Sequence, residues 1–239
     1  MSAGRDQGNR TARSAGAAVV RSAWFSALWT LLFLSCERAT IAESTFQPVV
    51  GYQITGRIVD RYGVPMEGVE IYPYYDLVYE SSEPAPPRQY FVQDSVTFVS
   101  TRVLDGRDSV VRELGEGWFA RGFLLAEWDR RDGAGGDVPS GIYRVCYVVR
   151  DDIVHSYSVL VEGTLSARSD YSGIFTLWDQ HLPMEFSPVP LFSADSSVYY
   201  GTYSIGRTVI LDLVTPTTIH TIAVRPSKGR VTDVPLVLD

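Results

Sequence analysis

Val50-Gly51-Tyr52-Gln53-Ile54-Thr55-Gly56-Arg57-Ile58-Val59-Asp60-Arg61-Tyr62-Gly63-Val64-Pro65 decides the fold class. Val50, Tyr52, Ile54 and Ile58 alternate with Gly51, Gln53, Thr55 and Arg57, which is the period of a half-buried strand. Asp60 to Pro65 then breaks the alternation with turn chemistry, and Gly63 supplies a residue free to take positive φ. Glu67-Gly68-Val69-Glu70-Ile71-Tyr72 begins the return strand. The same grammar of short alternating runs cut by Gly, Pro, Ser, Thr and Asp continues to the C-terminus. It predicts an all-β fold of packed sandwiches. The 14 Tyr and 12% aromatic residues agree, since aromatics favour pleated surfaces.

Gly56, Ile58, Asp60, Gly63, Pro65, Gly68 and Val69 fall at the spacing of carboxypeptidase regulatory-like domains, small transthyretin-like β-sandwiches, and this stretch resembles them. Ser169-Asp170-Tyr171-Ser172-Gly173-Ile174-Phe175-Thr176-Leu177 resembles a later segment of the same family. There the resemblance implies that Asp170 and Gly173 shape a turn and Phe175 enters the core. Further strands are expected at 208–213, 221–224 and 234–238.

Between these two stretches lies a proline-rich connector, Ser81 to Pro87, and then a different series. Strands are expected at Val92, Val96, Phe98 and Val103, with a turn at Asp105-Gly106-Arg107, and again at 110–114 and 123–128. Gly115 and Gly117 stand between the last two. The motif Trp128-Asp129-Arg130-Arg131-Asp132-Gly133-Ala134-Gly135-Gly136-Asp137-Val138-Pro139-Ser140-Gly141-Ile142-Tyr143 follows. Trp128, Asp129, Asp132, Gly135, Val138, Ser140, Gly141 and Tyr143 sit at the spacing of the Ig-like domain of the flagellar hook-capping protein, which the segment 92–163 resembles. A strand, a tight acidic-glycine loop and a strand restarting at Gly141 are expected, with Trp128 and Tyr143 bracketing the loop in the core. Arg130 stands where that family usually has Gly, which implies a wider or strained turn. The resemblances imply two Ig-like/transthyretin-like sandwiches. The simpler arrangement is nested, with 92–163 inserted into a host formed by 49–91 and 164–239; a tandem of small sandwiches is the alternative.

Ser22 to Leu34 is an almost wholly apolar run of 13 residues preceded by Arg21. That length suits a signal-peptide core and is short for a membrane span. It ends at Leu34-Ser35-Cys36, which resembles the lipobox of bacterial lipoproteins, with Phe33 where Leu is usual. The resemblance implies export through residues 1–36, acylation of Cys36, a tether over 37–48 and membrane anchoring in the periplasm or at the cell surface. An ordinary cleaved signal and an uncleaved anchor are the alternatives.

Outside residues 1–36 the chain holds 17 basic against 27 acidic residues, a net −10. An acidic body without basic clusters argues against a nucleic-acid partner. His155, His181 and His220 have no ligand-spaced partners, and no His-Glu-x-x-His or Gly-x-Ser-x-Gly motif occurs. Gly133 to Gly136 lacks the lysine of a phosphate-binding loop. Asp129, Asp132 and Asp137 do not have EF-hand spacing and read as a structural acidic loop. Cys146, in the run Tyr143 to Val149, reads as a buried structural thiol. Tyr72, Tyr74, Tyr75, Tyr79 and Tyr199, Tyr200, Tyr203 form two clusters that suit packing better than sugar stacking. The expectation is a non-catalytic, cofactor-free envelope protein with a structural or interaction role, its partners the membrane and other envelope or secreted proteins. A carbohydrate- or polymer-binding accessory module is the alternative.

Overall fold

In a computed structural model, which describes residues 51–82, 87–186, 188–192 and 198–239, the alternating runs become twelve strands. They are β1 (Tyr52–Asp60), β2 (Glu70–Ser81), β3 (Gln89–Leu104), β4 (Val110–Leu125), β5 (Gly141–Val149), β6 (Asp152–Val161), β7 (Ala167–Arg168), β8 (Ile174–Trp178), β9 (Val189–Phe192), β10 (Tyr199–Val214), β11 (Ile219–Val224) and β12 (Arg230–Leu238). One 3-10 turn, Asp179–His181, joins β8 to the segment leading into β9. The fold is all-β. Residues 1–36, the tether 37–48 and Cys36 lie outside the described residues.

Three sheets account for the strands: β12-β1-β8; β11-β10-β2-β7, with β9 also paired to β10; and β4-β3-β5-β6. Alternation on β1 sends Tyr52, Ile54 and Ile58 inward, where they meet Phe175 and Leu177 of β8. Ile71 and Tyr75 of β2 and Val209, Leu211 and Leu213 of β10 close the same core from the opposing sheet. Two sheets sharing one apolar interior make a β-sandwich. The C-terminal β12 runs parallel to β1 from Tyr52↔Arg230 to Asp60↔Leu238. Its Pro235 sits on an edge strand, where a missing N–H costs little.

The third sheet has its own core. Val92, Val99 and Val103 of β3, Tyr143, Val145 and Tyr147 of β5, and Tyr157 and Val161 of β6 form it, with Ala126 and Val138 from the loop over 126–140. Two tyrosine hydroxyls pin that loop: Tyr147 Oη accepts from Ala126 N at 2.8 Å and Tyr157 Oη donates to Ala126 O at 2.7 Å. Both cores lie in one compact unit.

One turn, used four times, sets where strands end. In each, an Asp Oδ1 accepts the backbone N–H groups two and four residues on: Tyr62 and Val64 for Asp60, Arg107 and Ser109 for Asp105, Ala134 and Gly136 for Asp132, and Ser172 and Ile174 for Asp170, all at 2.8 to 2.9 Å. The Asp backbone carbonyl accepts from the residue three on, and the Asp N–H donates to the carbonyl four on. The third residue on takes positive φ: Gly63 +82°, Asp108 +62°, Gly135 +86° and Gly173 +74°. This is the Asx turn that makes Asp a turn residue.

Three features differ from the expectation, the first being that β4 ends at Leu125, so that Ala126 to Trp128 lie in the following loop and not in the strand expected over 123–128. Gly115 and Gly117 do not end a strand, because β4 runs through them and remains paired with β3. Gly115 and Gly122 instead mark register shifts where β4 bends along its partner. Short β9, which the sequence did not reveal, adds an edge to β10.

Two of the turn glycines separate conformation from crowding. At Gly63 a Cβ would meet open space, whereas at Gly173 it would overlap the Ile58 carbonyl oxygen. Gly63→Ala is expected to lose ~1 kcal/mol, the cost of left-handed backbone. Gly173→Ala should lose ~3 kcal/mol or more once steric strain is added. Urea unfolding of the two variants checks the difference.

Candidate functional site

The residues singled out in the sequence converge in two places. In the first, Gly56 pairs with Phe175 across β1 and β8, and the Phe175 ring lies so close over Gly56 that a Cβ there would overlap it. The Asp60 and Asp170 turns meet beside this pair, since Ile58 N donates to Gly173 O at 2.8 Å and Met66 N to Ile58 O at 3.1 Å. Pro65 bridges Val59. Gly68 N and Val69 N donate to the backbone and hydroxyl oxygens of buried Ser169. Each motif residue here shapes backbone.

The second convergence is the loop over 126–140. The Trp128 ring packs tilted against Tyr143, with centroids 5.0 Å apart, and its Nε1 donates to Arg131 O at 2.8 Å. Tyr143 is buried, but Trp128 is only half-buried and packs on the rim of the second core. The expectation that both are core residues is corrected for Trp128, because the indole N–H must stay near the loop it ties. Asp129 accepts from Arg112 at 2.7 Å and from Arg131 N, Asp132 caps its turn, and Asp137 lies 3.7 Å from Arg131. The three carboxylates are thus committed to backbone and guanidinium partners. Arg130 has φ +63°, so the Gly-to-Arg departure is a strained position.

Ser140 links the two cores. Its hydroxyl donates to Thr164 O and accepts from Thr164 N, while its N–H donates to Ser166 Oγ at 2.9 Å. Its carbonyl accepts from His181 Nδ1 at 3.2 Å, and Gln180 Nε2 lies 2.9 Å from His181 Nε2. An acceptor at Nδ1 and an amide donor at Nε2 specify a neutral ring protonated on Nδ1. Gly141 packs so tightly on the Gln180 carbonyl that no Cβ fits. Tyr75 Oη donates to His181 O at 3.0 Å, and Tyr75 N to Glu162 Oε1 at 2.9 Å. Burial pushes the His181 pKa below and the Glu162 pKa above their ordinary values. The cluster is a buried polar seam in which every named group has a partner.

Other chemistry-bearing residues stay apart. His155 Nε2 lies 2.7 Å from Pro87 O, and His220 contacts Thr218. Cys146 is fully buried, and burial pushes its thiol pKa up despite Arg144 and Arg102 nearby. Among the tyrosine clusters, Tyr75 is buried and Tyr72, Tyr199 and Tyr203 are half-buried, while Tyr74, Tyr79 and Tyr200 are exposed.

The surface feature that the sequence did not flag lies on the β3–β4 ribbon. Phe98 and Trp118 face each other across the two strands with ring centroids 5.4 Å apart, and Phe91 and Phe123 do so at 4.9 Å. Trp118 is 73% and Phe123 72% exposed. Parity carried the signal: Val99, Thr101 and Val103 point inward, so Phe98 belongs to the outer face. β4 is also the edge of its sheet. No family model, curated protein or solved structure matches this chain.

The seam gives a signed pH prediction. A histidine whose folded pKa is depressed binds its proton more readily when unfolded, so stability falls as pH drops below ~6.5. Wild type should lose up to about 1.4 kcal/mol per pH unit more than His181→Gln between pH 6.5 and 5. Parallel chemical-denaturation curves across that range check it.

Proposed function

We propose that this chain is a non-catalytic bacterial cell-envelope protein, exported by residues 1–36 and held to a membrane by acylated Cys36. Residues 37–48 tether a β body that presents the β3–β4 ribbon to another envelope or secreted component. The observation that supports this best is the ribbon itself, a 16-residue edge strand bearing strongly exposed Trp118 and Phe123. Glu113, Glu116 and Arg121 on the same strand discourage indiscriminate edge pairing while leaving the aromatic rings available. The titratable groups with shifted pKa values at the seam are engaged by backbone and neighbouring side chains, as expected of structural groups.

The same proposal includes a nested architecture, with residues 49–91 and 164–239 as a carboxypeptidase regulatory-like host and 92–163 as a hook-cap-like guest. Supporting it, Ile54, Ile71, Phe175 and Leu211 share one core while Val99, Val145 and Tyr157 share another. Ile142 and Leu160 reach from the guest strands into the host core, and the Ser140 seam joins the same surfaces.

Two experiments test this. Cys36→Ala should abolish labelling by a fatty-acid analogue and release the protein from the membrane fraction, since acyl chains contribute ~0.8 kcal/mol per buried methylene. Unchanged labelling removes the anchor. Replacing 92–163 with a short Gly-Ser linker should leave a cooperatively melting host, destabilised by ~2–5 kcal/mol through loss of the Ile142 and Leu160 contacts. A host that is unfolded beside a folded 164–239 fragment rules nesting out.

A further inference from the structure

A groove of about 500 Å³ opens beside the Phe98–Trp118 pair, lined also by Asp94, Val96, Arg150 and Asp152. That size suits a small-ligand subsite. Two irregularities of the backbone bring its polar groups to the rings. The β3–β4 register shifts between Val92 and Val96, so Asp94 sits in a bulge with no partner in the ladder, and bulges re-aim side chains. The β5–β6 connection has both central residues at positive φ, Arg150 at +51° and Asp151 at +69°. That geometry normally calls for Asn-Gly; here it places Arg150 on the groove wall instead.

Several carboxylates of the body are already engaged. Asp60, Asp105, Asp132 and Asp170 spend their carboxylates on turns, and Asp108 and Asp129 theirs on arginines. Asp94, Arg150 and Asp152 form no ion pair or side-chain hydrogen bond among the described residues. An exposed indole flanked by uncommitted acceptors and a planar donor matches a pyranose ring, whose C–H face is apolar and whose rim carries vicinal hydroxyls. Two carboxylates against one guanidinium, on a body of net −10, disfavour acidic polymers and anionic lipid.

We propose that this groove binds a neutral glycan chain, with Trp118 as the stacking platform and Asp94, Arg150 and Asp152 as the hydroxyl-binding groups. The assignment rests on the ribbon being the presented face, and it names the partner's chemistry.

The mature acylated protein, in a detergent without sugar headgroups, is titrated with cellohexaose, laminarihexaose, mannohexaose and chitohexaose, reading tryptophan fluorescence and calorimetric heat. At least one should bind. Trp118→Ala, at an exposed position, should weaken that binding tenfold or more with an unchanged circular dichroism spectrum. The double change Arg150→Asn, Asp151→Gly should also weaken it tenfold while raising the melting temperature, because Asn-Gly relieves the turn. No binding to any of the four, or binding unaffected in both variants, overturns the proposal. Quenching by brominated lipid in proteoliposomes that disappears in Trp118→Ala would also overturn it, assigning the face to the membrane. Fatty-acid labelling at Cys36 is independent of all these results, so loss of the glycan site leaves the anchoring proposal standing.

Discussion

A single Asp carboxylate accepting two backbone N–H groups across a five-residue turn recurs at Asp60, Asp105, Asp132 and Asp170. The sheets depend on it. Each net hydrogen bond contributes only ~1 kcal/mol, but the geometry fixes where one strand stops and the next begins, and hence the register that follows. At Asp60 and Asp170 the paired turns place Gly56 under Phe175 and align β1 with β8. At Asp105 the turn closes the β3–β4 hairpin, and at Asp132 it shapes the loop that covers the second core. Part of the body's acidity is therefore structural.

The seam around Ser140 and His181 explains how two cores behave as one unit. A serine, a histidine, a tyrosine hydroxyl and a glutamate carboxylate meet where apolar packing alone would specify little. Burying them requires that every donor and acceptor be matched, so the two surfaces fit in one relative position. Gly141 against Gln180 and Gly163 beneath the Tyr74 ring enforce the same fit sterically.

Much of the fold was legible in the sequence because alternation and turn chemistry are local. The strand through Ile54 and Ile58, the turn from Asp60 to Gly63, the restart at Gly141 and the burial of Cys146 follow from local residue pattern, while the Asp170–Gly173 turn and the burial of Phe175 were implied by the resemblance of residues 169–177. The strain at Arg130 was visible as a side chain where the motif wants none. What was not legible depended on long-range pairing. The parallel partnership of β12 with β1, the edge strand β9 and the continuity of β4 through its glycines need the partner strand to be known. Trp128 was misplaced by a motif that fixes its hydrogen bond but not its depth. The face on which Phe98 and Trp118 stand depends on the β3–β4 pairing and its register shifts, and the groove needs a bulge and a strained turn that no spacing announces.

Structure and proposed function meet in a division among carboxylates: those in turns hold the strands, and the proposed site takes two that do not, Asp94 and Asp152. Backbone amide hydrogen exchange tests the structural half of that division most directly. The N–H groups of Tyr62, Val64, Arg107, Ser109, Ala134, Gly136, Ser172 and Ile174 lie in turns at or near the surface, yet each donates to a carboxylate. All eight should exchange at least tenfold more slowly than unstructured peptide, with protection lost pairwise when the corresponding Asp becomes Ala. Exchange at unstructured rates in the wild-type chain would contradict the account.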